Sequence, residues 1–384
     1  MGARRTRFGI GVTVAAAVMA TAIPVSGASS ASSAAPPLRV REWHPALAQS
    51  TRARLAAGVP SVPMWSHTYK VGGTKYKISM VGKDPFTRQA KPATTVPTQI
   101  IPIKLTFTDT GDVYDPTAPD PTCLGGASAL TRTLESPIFT SKPYTLGATS
   151  IGKGQFVDAF QRANFWKQTK PTGINPGYHV NLAVSVLPTM SFSVTGAEVA
   201  APCGKLGKID VGAFDALLVT HLADFAAAGV DSTKFPLLLI SNVVMYQGDV
   251  TQCCILGFHA AIDNPYDGGV QTLGVAEYDS TRQFNGIRDV AIVTHEVGEW
   301  MDDPTGANVA PSWGHTGQVA GCQGALEVGD PLTGTSMTVK SSGTVYHPQE
   351  MAFASWFYGL QPSGSVNGWY SMNGAFKQPA VPCV

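Results

Sequence analysis

The stretch Ala291-Ile-Val-Thr-His-Glu-Val-Gly-Glu-Trp-Met-Asp-Asp-Pro304 carries the clearest chemical signal in the sequence. An apolar run leads into a cluster of one histidine and four carboxylates, and Pro304 follows directly. Because proline cannot continue a helix and disfavours helix at the residue before it, we predict a helix that ends near Asp302. Positions i and i+4 of a helix lie on the same face, so His295 and Glu299 point the same way, with Glu296 beside them.

This spacing predicts a metal site on the helix. An imidazole and a carboxylate one turn apart can both reach one ion, which leaves Glu296 free to act on a bound water. The pattern resembles the His-Glu-x-x-His helix of the zincin metallopeptidases, with Glu299 in place of the second histidine. The resemblance implies zinc as the metal. The additional negative charge of Glu299 would favour a harder ion, so the identity of the metal stays open.

The resemblance also implies a third ligand farther along the chain. Gluzincin-type peptidases take it from a glutamate on a second helix, and Glu327 stands 28 residues after Glu299. Asp330 follows three residues later, where a carboxylate could orient a metal-binding histidine. Two alternatives stay open: Glu327 could be an ordinary carboxylate before a turn, and Asp302 or Asp303 could replace either glutamate as a ligand.

Three further residues are candidates for groups that assist the reaction. His259 lies in an apolar segment of strand length, and it is either a core histidine or a group near the reacting atoms. His315 falls in the Gly- and Pro-rich stretch after the predicted helix, where it could bind metal or stabilise an oxyanion, or be a plain loop residue. Tyr346 stands where the resemblance implies a donor to the tetrahedral intermediate from the C-terminal lobe.

We predict an α+β fold with three regions after an N-terminal leader. Residues 41–120 show alternating apolar and polar positions with turn signals, which indicates a β-rich N-terminal region. Within it, Gly72-Gly73 separates two alternating segments and predicts a hairpin. Residues 121–304 indicate an α/β lobe that ends in the metal-motif helix, and residues 305–384 a loop-rich C-terminal lobe with the candidate third ligand. Whether residues 29–120 form a removable pro-segment stays open.

The segments before the metal-motif helix predict a sheet. Residues 235–246 form a continuous apolar run typical of a buried strand, residues 254–262 a second strand, and residues 274–278 a short strand. This order resembles the zincin-like mixed-sheet lobe, in which an edge strand runs along the substrate cleft and pairs with extended peptide. We assign the edge position to residues 274–278.

The N-terminus predicts export. Residues 1–28 have a charged start, an apolar stretch and a small-residue cleavage site, which is the pattern of a signal peptide, and residues 29–40 form a Ser/Ala/Pro-rich linker. Loss of the signal would change the formal net charge from +1 to −2, and no basic block stands out. We therefore expect a secreted, extracellular monomer that binds neither nucleic acid nor membrane after cleavage.

The six cysteines predict disulfide bonds, because an even count in an exported chain indicates pairing and no Cys-x-x-Cys appears. Six cysteines allow fifteen connectivities. We expect Cys253 and Cys254 to bond different partners, with Cys322 bonded to one of them.

Two functions from different classes follow. The first is a secreted metal-dependent hydrolase, foremost a zinc endopeptidase acting on peptide or protein substrates. In it His295, Glu299 and Glu327 bind one divalent ion, and Glu296 is the general base that activates the metal-bound water. The alternative is a secreted binding or surface-structure protein with a structural metal site or none.

Overall fold

The structure, a computed structural model, describes Val40 and residues 58–384. The predicted signal peptide, all but Val40 of the predicted linker, and residues 41–57 lie outside the described residues. Strands and helices alternate along the described chain, and strand is the more abundant of the two. The predicted α+β class is confirmed.

The first described elements are a hairpin of β1 (Met64–Val71) and β2 (Thr74–Val81), paired antiparallel. The Gly72-Gly73 turn between them has positive φ at both residues (54° and 85°), which glycine adopts without a steric penalty. The alternating pattern in the sequence predicted this hairpin, and that prediction is confirmed.

A seven-stranded mixed sheet follows. Its members are β3 (Thr94–Phe107), β4 (Val113–Tyr114), β7 (Val180–Val186), β8 (Met190–Val194), β11 (Phe235–Ser241), β14 (Gly257–Asp263) and β15 (Val270–Tyr278). The order is β14-β15-β11-β3-β4, and β7 and β8 pair with successive halves of the long strand β3. Strands β3, β11 and β15 run parallel, whereas β14 runs antiparallel to β15.

The predicted edge position is wrong. Strand β15 contains residues 274–278 and lies between β14 and β11, so β14 is the terminal strand of this order. Eight of the nine residues of β15 are buried, as expected for an inner strand. Chain order did not reveal the sheet order, because the chain leaves the sheet after β11, returns to it at β14 and then turns back through β15.

The two faces of the sheet pack against different helices. Helix α6 (Ala291–Asp302), with every residue buried, lies on β14 and β15 and also contacts α2 (Phe156–Asn164). Residues from α4 (Val211–Thr220) and α5 (Leu222–Ala227) form the core of the other face. Alternate residues of the inner strands supply the two cores, which is the period-2 pattern of a strand.

The remaining elements surround this framework. They are β5 (Lys142–Leu146), β6 (Thr149–Gly154), β9 (Ala197–Ala200), β10 (Lys205–Asp210), β12 (Val243–Tyr246), β13 (Cys253–Ile255), β16 (Val309–Thr316), β17 (Val319–Ala325), β18 (Val339–Ser341), β19 (Thr344–Tyr346), α1 (Ala129–Glu135), α3 (Trp166–Thr169), α7 (Ala354–Phe357) and two 3-10 turns, Asp330–Leu332 and Val366–Gly368. Strands β16 and β17 form a hairpin that leads directly into the segment carrying Glu327 and Asp330.

Three disulfides join all six cysteines, and their pairing differs from our prediction. Cys123 bonds Cys203, Cys253 bonds its neighbour Cys254, and Cys322 bonds Cys383. The predicted bond from Cys322 to position 253 or 254 is therefore wrong. The C-terminal tail returns beside β17, so Cys383 is the cysteine within reach of Cys322, and the bond ties the tail to that strand.

Candidate metal centre

Helix α6 supplies the first three residues of the site. It ends at Asp302, as Pro304 predicted, and Nε2 of His295 lies 3.1 Å from Oε2 of Glu299 one turn away. Glu296 follows His295 directly, with its Oε1 4.0 Å from Nε2 of His295. All three side chains are 4% exposed. The helical spacing therefore brings these groups together as the sequence predicted.

Asp330 completes the group around His295. It begins the 3-10 turn after β17, and its Oδ1 lies 3.5 Å from Nε2 of His295. Ligand atoms at about 2.1 Å from a tetrahedral ion are roughly 3.4 Å apart. The atoms of His295, Glu299 and Asp330 therefore have the spacing that one bound ion requires, and all lie within 4.8 Å of one another.

His259 joins the site from strand β14. Its Nδ1 lies 3.6 Å from Oε2 of Glu299 and 3.8 Å from Oε2 of Glu296. Its Nε2 is buried, makes no hydrogen bond with a described residue, and lies 3.8 Å from Oε2 of Glu327. A buried imidazole nitrogen without a hydrogen bond is an available ligand atom, so the residues fit a bound cation.

Glu327 occupies a different part of the cluster from the one predicted. It forms a group with His259 and Asp303, whereas the atoms nearest to His295 come from Glu299 and Asp330. Its segment is also not the second helix that the zincin resemblance implied, because Glu327 lies in a loop between β17 and the 3-10 turn. The sequence showed its distance along the chain but not the direction of its side chain.

Two glycines allow the surrounding backbone to approach α6. A Cβ at Gly329 would lie 2.5 Å from Nδ1 of His295, and a Cβ at Gly257 would lie 2.5 Å from Oε1 of Glu296. Both distances are shorter than real Cβ contacts, so a larger residue at either position would push against the metal-motif helix. The loop that contains Gly329 and the strand β14 can therefore pack against the site from two sides.

A set of neutral amides and backbone groups orients the candidate ligands. Nε2 of Gln349 lies 3.0 Å from Nδ1 of His295 and donates to the carbonyl oxygen of Gly329 at 2.7 Å. Oε1 of Glu299 accepts hydrogen bonds from the backbone N–H groups of Gly329 and Asp330. The side chains of Gln318 and Gln323 donate to Asp330. Sequence reasoning missed these three glutamines, since a neutral amide has no distinctive spacing.

The cluster contains more carboxylates than imidazoles. Its seven members are His259, His295, Glu296, Glu299, Asp303, Glu327 and Asp330, each at most 6% exposed. Two imidazoles cannot balance five carboxylates even when both are protonated. Because unbalanced charge is costly in a buried, low-dielectric site, the cluster favours binding of a cation.

The pKa values of three cluster residues are shifted by burial and by their charged neighbours. Burial lowers the pKa of His295, but the carboxylates of Glu299 and Asp330 outweigh it and hold the pKa well above its usual value. Burial raises the pKa of Glu296 despite the nearby His259. Burial would raise the pKa of Glu299, but His295, His259 and the backbone N–H of Gly329 together hold it below its usual value. The buried histidine, glutamate and aspartate groups could thus hold a metal ion.

The other predicted candidates lie outside these groups. His315 is exposed on β16, and the cysteines beside it form a disulfide. Tyr346 is buried on β19. Burial and the nearby Glu135 raise its pKa, although Arg132 acts in the opposite direction. Asp302 accepts hydrogen bonds from two side chains of α2, and burial raises its pKa to about 7.

No family model, curated protein or solved structure matches this chain. No helix in the described part of the chain has the length and apolar character that crossing a bilayer requires. A functional assignment therefore depends on the geometry of the site itself.

Proposed function

We propose that this protein is a metal-dependent hydrolase, and specifically a zinc endopeptidase in which Glu296 is the general base. One observation carries the proposal: ligand atoms of His295, Glu299 and Asp330 lie within 4.8 Å of one another, with the Glu296 carboxylate next to them. A metal site with an adjacent carboxylate that is not needed as a ligand is the arrangement of metal-assisted hydrolysis.

The proposed ligands are His295, Glu299 and Asp330. Asp330 replaces Glu327 as the third ligand because its Oδ1 is 3.5 Å from His295 Nε2, whereas Glu327 lies beside His259. When bound, the metal would polarise a substrate carbonyl and acidify a water molecule. The nitrogen and oxygen donors suit zinc, and the two carboxylates also suit a harder ion such as manganese.

Glu296 is the proposed proton carrier. It would take a proton from the attacking water and deliver it to the leaving amine. Burial raises its pKa, which makes it a stronger base than an exposed glutamate. His259, with Nδ1 3.8 Å from Glu296 Oε2, would hold this carboxylate in place and would stabilise negative charge on the substrate oxygen.

The terminal strand β14 gives the proposal a route for substrate binding. Among the strands that the structure describes, β14 pairs only with β15 in this sheet, and it carries His259 on the side that faces α6. An extended peptide could add to such an edge through main-chain hydrogen bonds. This arrangement resembles the substrate edge of zincins and supports a peptide as the substrate class.

Export is part of the proposal. The N-terminal 28 residues have the pattern of a signal peptide, and three disulfides are typical of proteins that fold in an oxidising compartment. A secreted endopeptidase is consistent with both features.

The decisive variant is Glu296→Gln, which keeps the shape of the side chain and removes the base. We expect hydrolysis of fluorescently labelled casein to fall by at least about a hundredfold, because general-base catalysis contributes on that scale. The metal content, measured by elemental mass spectrometry, should stay at about one ion per chain. Glu198→Gln, which changes a carboxylate bonded to Tyr114 and Lys205, is the matched control and should keep full activity. Unchanged hydrolysis by Glu296→Gln would exclude the mechanism.

A second candidate is a binding or surface-structure protein with a structural metal. The observation that favours it is burial, since none of the cluster residues is more than 6% exposed. Structural metal sites are closed, while catalytic sites keep an open position. If the wild-type protein contains metal, cleaves no substrate and unfolds when a chelator removes the ion, this second function replaces the first.

A further inference from the structure

A polar cavity lies near the N-terminal end of α6, between the end of β15 and the start of the helix. Its volume is about 260 Å³, and its walls include Arg132, Arg282 and Arg288. These arginines come from α1 and from the segment between β15 and α6. None of the three belongs to the metal cluster, so the cavity is a separate feature of the molecule.

One of the three guanidinium groups is held in place by the protein. Nη1 of Arg132 donates to Oγ1 of Thr344 at 2.7 Å and lies 3.4 Å from Oε2 of Glu135, and its Nη2 donates to the carbonyl oxygen of Leu124. These bonds fix the orientation of the side chain on the cavity wall. Glu135 is partly exposed, so its attraction is screened by solvent.

The other two guanidinium groups have no carboxylate partner. Arg282 and Arg288 are exposed, and neither forms an ion pair or a side-chain hydrogen bond with a described residue. Their five N–H donors each are therefore available to a ligand. Arginine in this state presents a planar fork that matches the oxygen atoms of an anion.

The acidic residues on the wall only partly offset this charge, since three arginines face two aspartates. Asp289 is engaged by His347, whose backbone N–H and ring Nδ1 contact its two oxygens at 2.9 and 2.6 Å. Oδ1 of Asp279 accepts two hydrogen bonds from Thr281, and burial raises the pKa of Asp279. The charge that remains for a ligand comes from the arginines.

The backbone around the cavity is closed and rigid. The N–H of Asp289 donates to the carbonyl oxygen of Asp279 at 2.7 Å, and the reverse bond is 3.3 Å long, so the two ends of the intervening loop are joined. Arg282 and Asp289 both have positive φ, at 60° and 45°. Residues other than glycine adopt this conformation at an energetic cost, and they concentrate at ligand sites. The Cys123–Cys203 disulfide braces the same wall.

We propose that this cavity binds the oxyanion group of a small ligand, namely a phosphate or sulfate ester. The three arginines come from two separate segments of the chain, and the hydroxyl-bearing residues Tyr278 and Thr344 also line the wall. The volume exceeds that of a bare oxyanion, so the ligand carries an organic part. The proposal does not depend on the metal centre or on hydrolysis.

The test is isothermal titration of the full-length mature protein with inorganic phosphate, inorganic sulfate, phenyl phosphate and phenyl sulfate. We expect one saturable site per chain, with an ester bound more tightly than its inorganic anion. Comparison of the two esters identifies the anion class. The double variant Arg282→Gln/Arg288→Gln should weaken binding by about a hundredfold, about tenfold per arginine lost. Arg88→Gln, which changes an exposed arginine outside the cavity, is the matched control and should bind like the wild type.

Three results would overturn the proposal. They are the absence of saturable binding for all four probes, equal binding by the wild type and the double variant, and equal weakening in Arg88→Gln. The second result would indicate that the anions bind elsewhere, for example at the metal centre. Hydrolysis assays with Glu296→Gln are independent of this outcome, so failure of the two proposals can be told apart. Arg132 is left unchanged because its bonds to Thr344 and Leu124 also support the fold.

Discussion

Phe258 and His259 are neighbours on β14, yet they belong to opposite faces of the central sheet. Phe258 packs into the apolar core shared with α4 and α5, whereas His259 faces α6 and lies among its carboxylates. Both faces are stabilised by burial of apolar area, but the second also holds a cluster of buried charges that a cation would balance. One strand can therefore serve stability and chemistry at once, since consecutive side chains point in opposite directions.

The largest expected effect separates these two neighbours. Phe258→Ala should lower the free energy of unfolding by about 3–5 kcal/mol, because it leaves a cavity in a core where Phe258 is 3% exposed. Its metal content per folded chain should not change. His259→Ala should instead weaken metal binding, because its Nδ1 lies 3.6 Å from Oε2 of the proposed ligand Glu299, and it should cost less packing. Urea denaturation and elemental mass spectrometry measure the two quantities, and loss of metal from the Phe258 variant would contradict this division of roles.

The next prediction concerns the groups that orient the metal ligands. Gln349→Ala removes the amide next to Nδ1 of His295 and should weaken metal affinity by about 10- to 100-fold, the usual effect of losing a residue that orients a ligand. Competition against a chelating dye gives the affinity without any assay of activity. Gln378→Ala, on the protein surface, is the control. Equal affinities in the two variants would mean that Gln349 does not position His295.

The smallest expected effect tests Glu277, a buried acid on the apolar face. Glu277 is fully buried and pairs in register with Ile240, and neither of its carboxyl oxygens hydrogen-bonds a described residue. Burial and the nearby Asp279 raise its pKa well above the usual value. A raised pKa means that the folded state retains the proton longer than the unfolded state. The contribution of Glu277 to the stability should therefore fall as the pH rises above about 4.5, the ordinary value for glutamate.

Glu277→Met should remove this dependence on pH. We expect the variant to be more stable than the wild type by about 1–2 kcal/mol at pH 8, with a smaller difference at pH 5, because a buried acid without a partner is costly to ionise. Urea denaturation at the two pH values measures the difference. The same gain at both pH values would show that the pKa of Glu277 is the same in the folded and unfolded states, and that packing alone explains the change.

The local features of this protein were readable from the residue order. Proline at 304 ends α6 at Asp302, and the spacing of four residues places His295 against Glu299, because both depend only on the geometry of a helix. The alternating pattern and the Gly-Gly turn predicted the β1–β2 hairpin for the same reason, and the α+β class followed from such patterns. The even cysteine count correctly indicated disulfides.

Contacts between distant segments were decided only by the tertiary structure. His259 reaches the site because β14 pairs with β15 beneath α6. Asp330 approaches His295 more closely than Glu327 does, because the chain turns after β17. The disulfide partner of Cys322 depended on where the C-terminal tail packed. The polar cavity is lined by Arg132, Arg282 and Arg288, and no local sequence pattern connects these three positions. Short-range geometry is set by the bonds between neighbouring residues, whereas these encounters depend on how the whole chain buries its apolar faces.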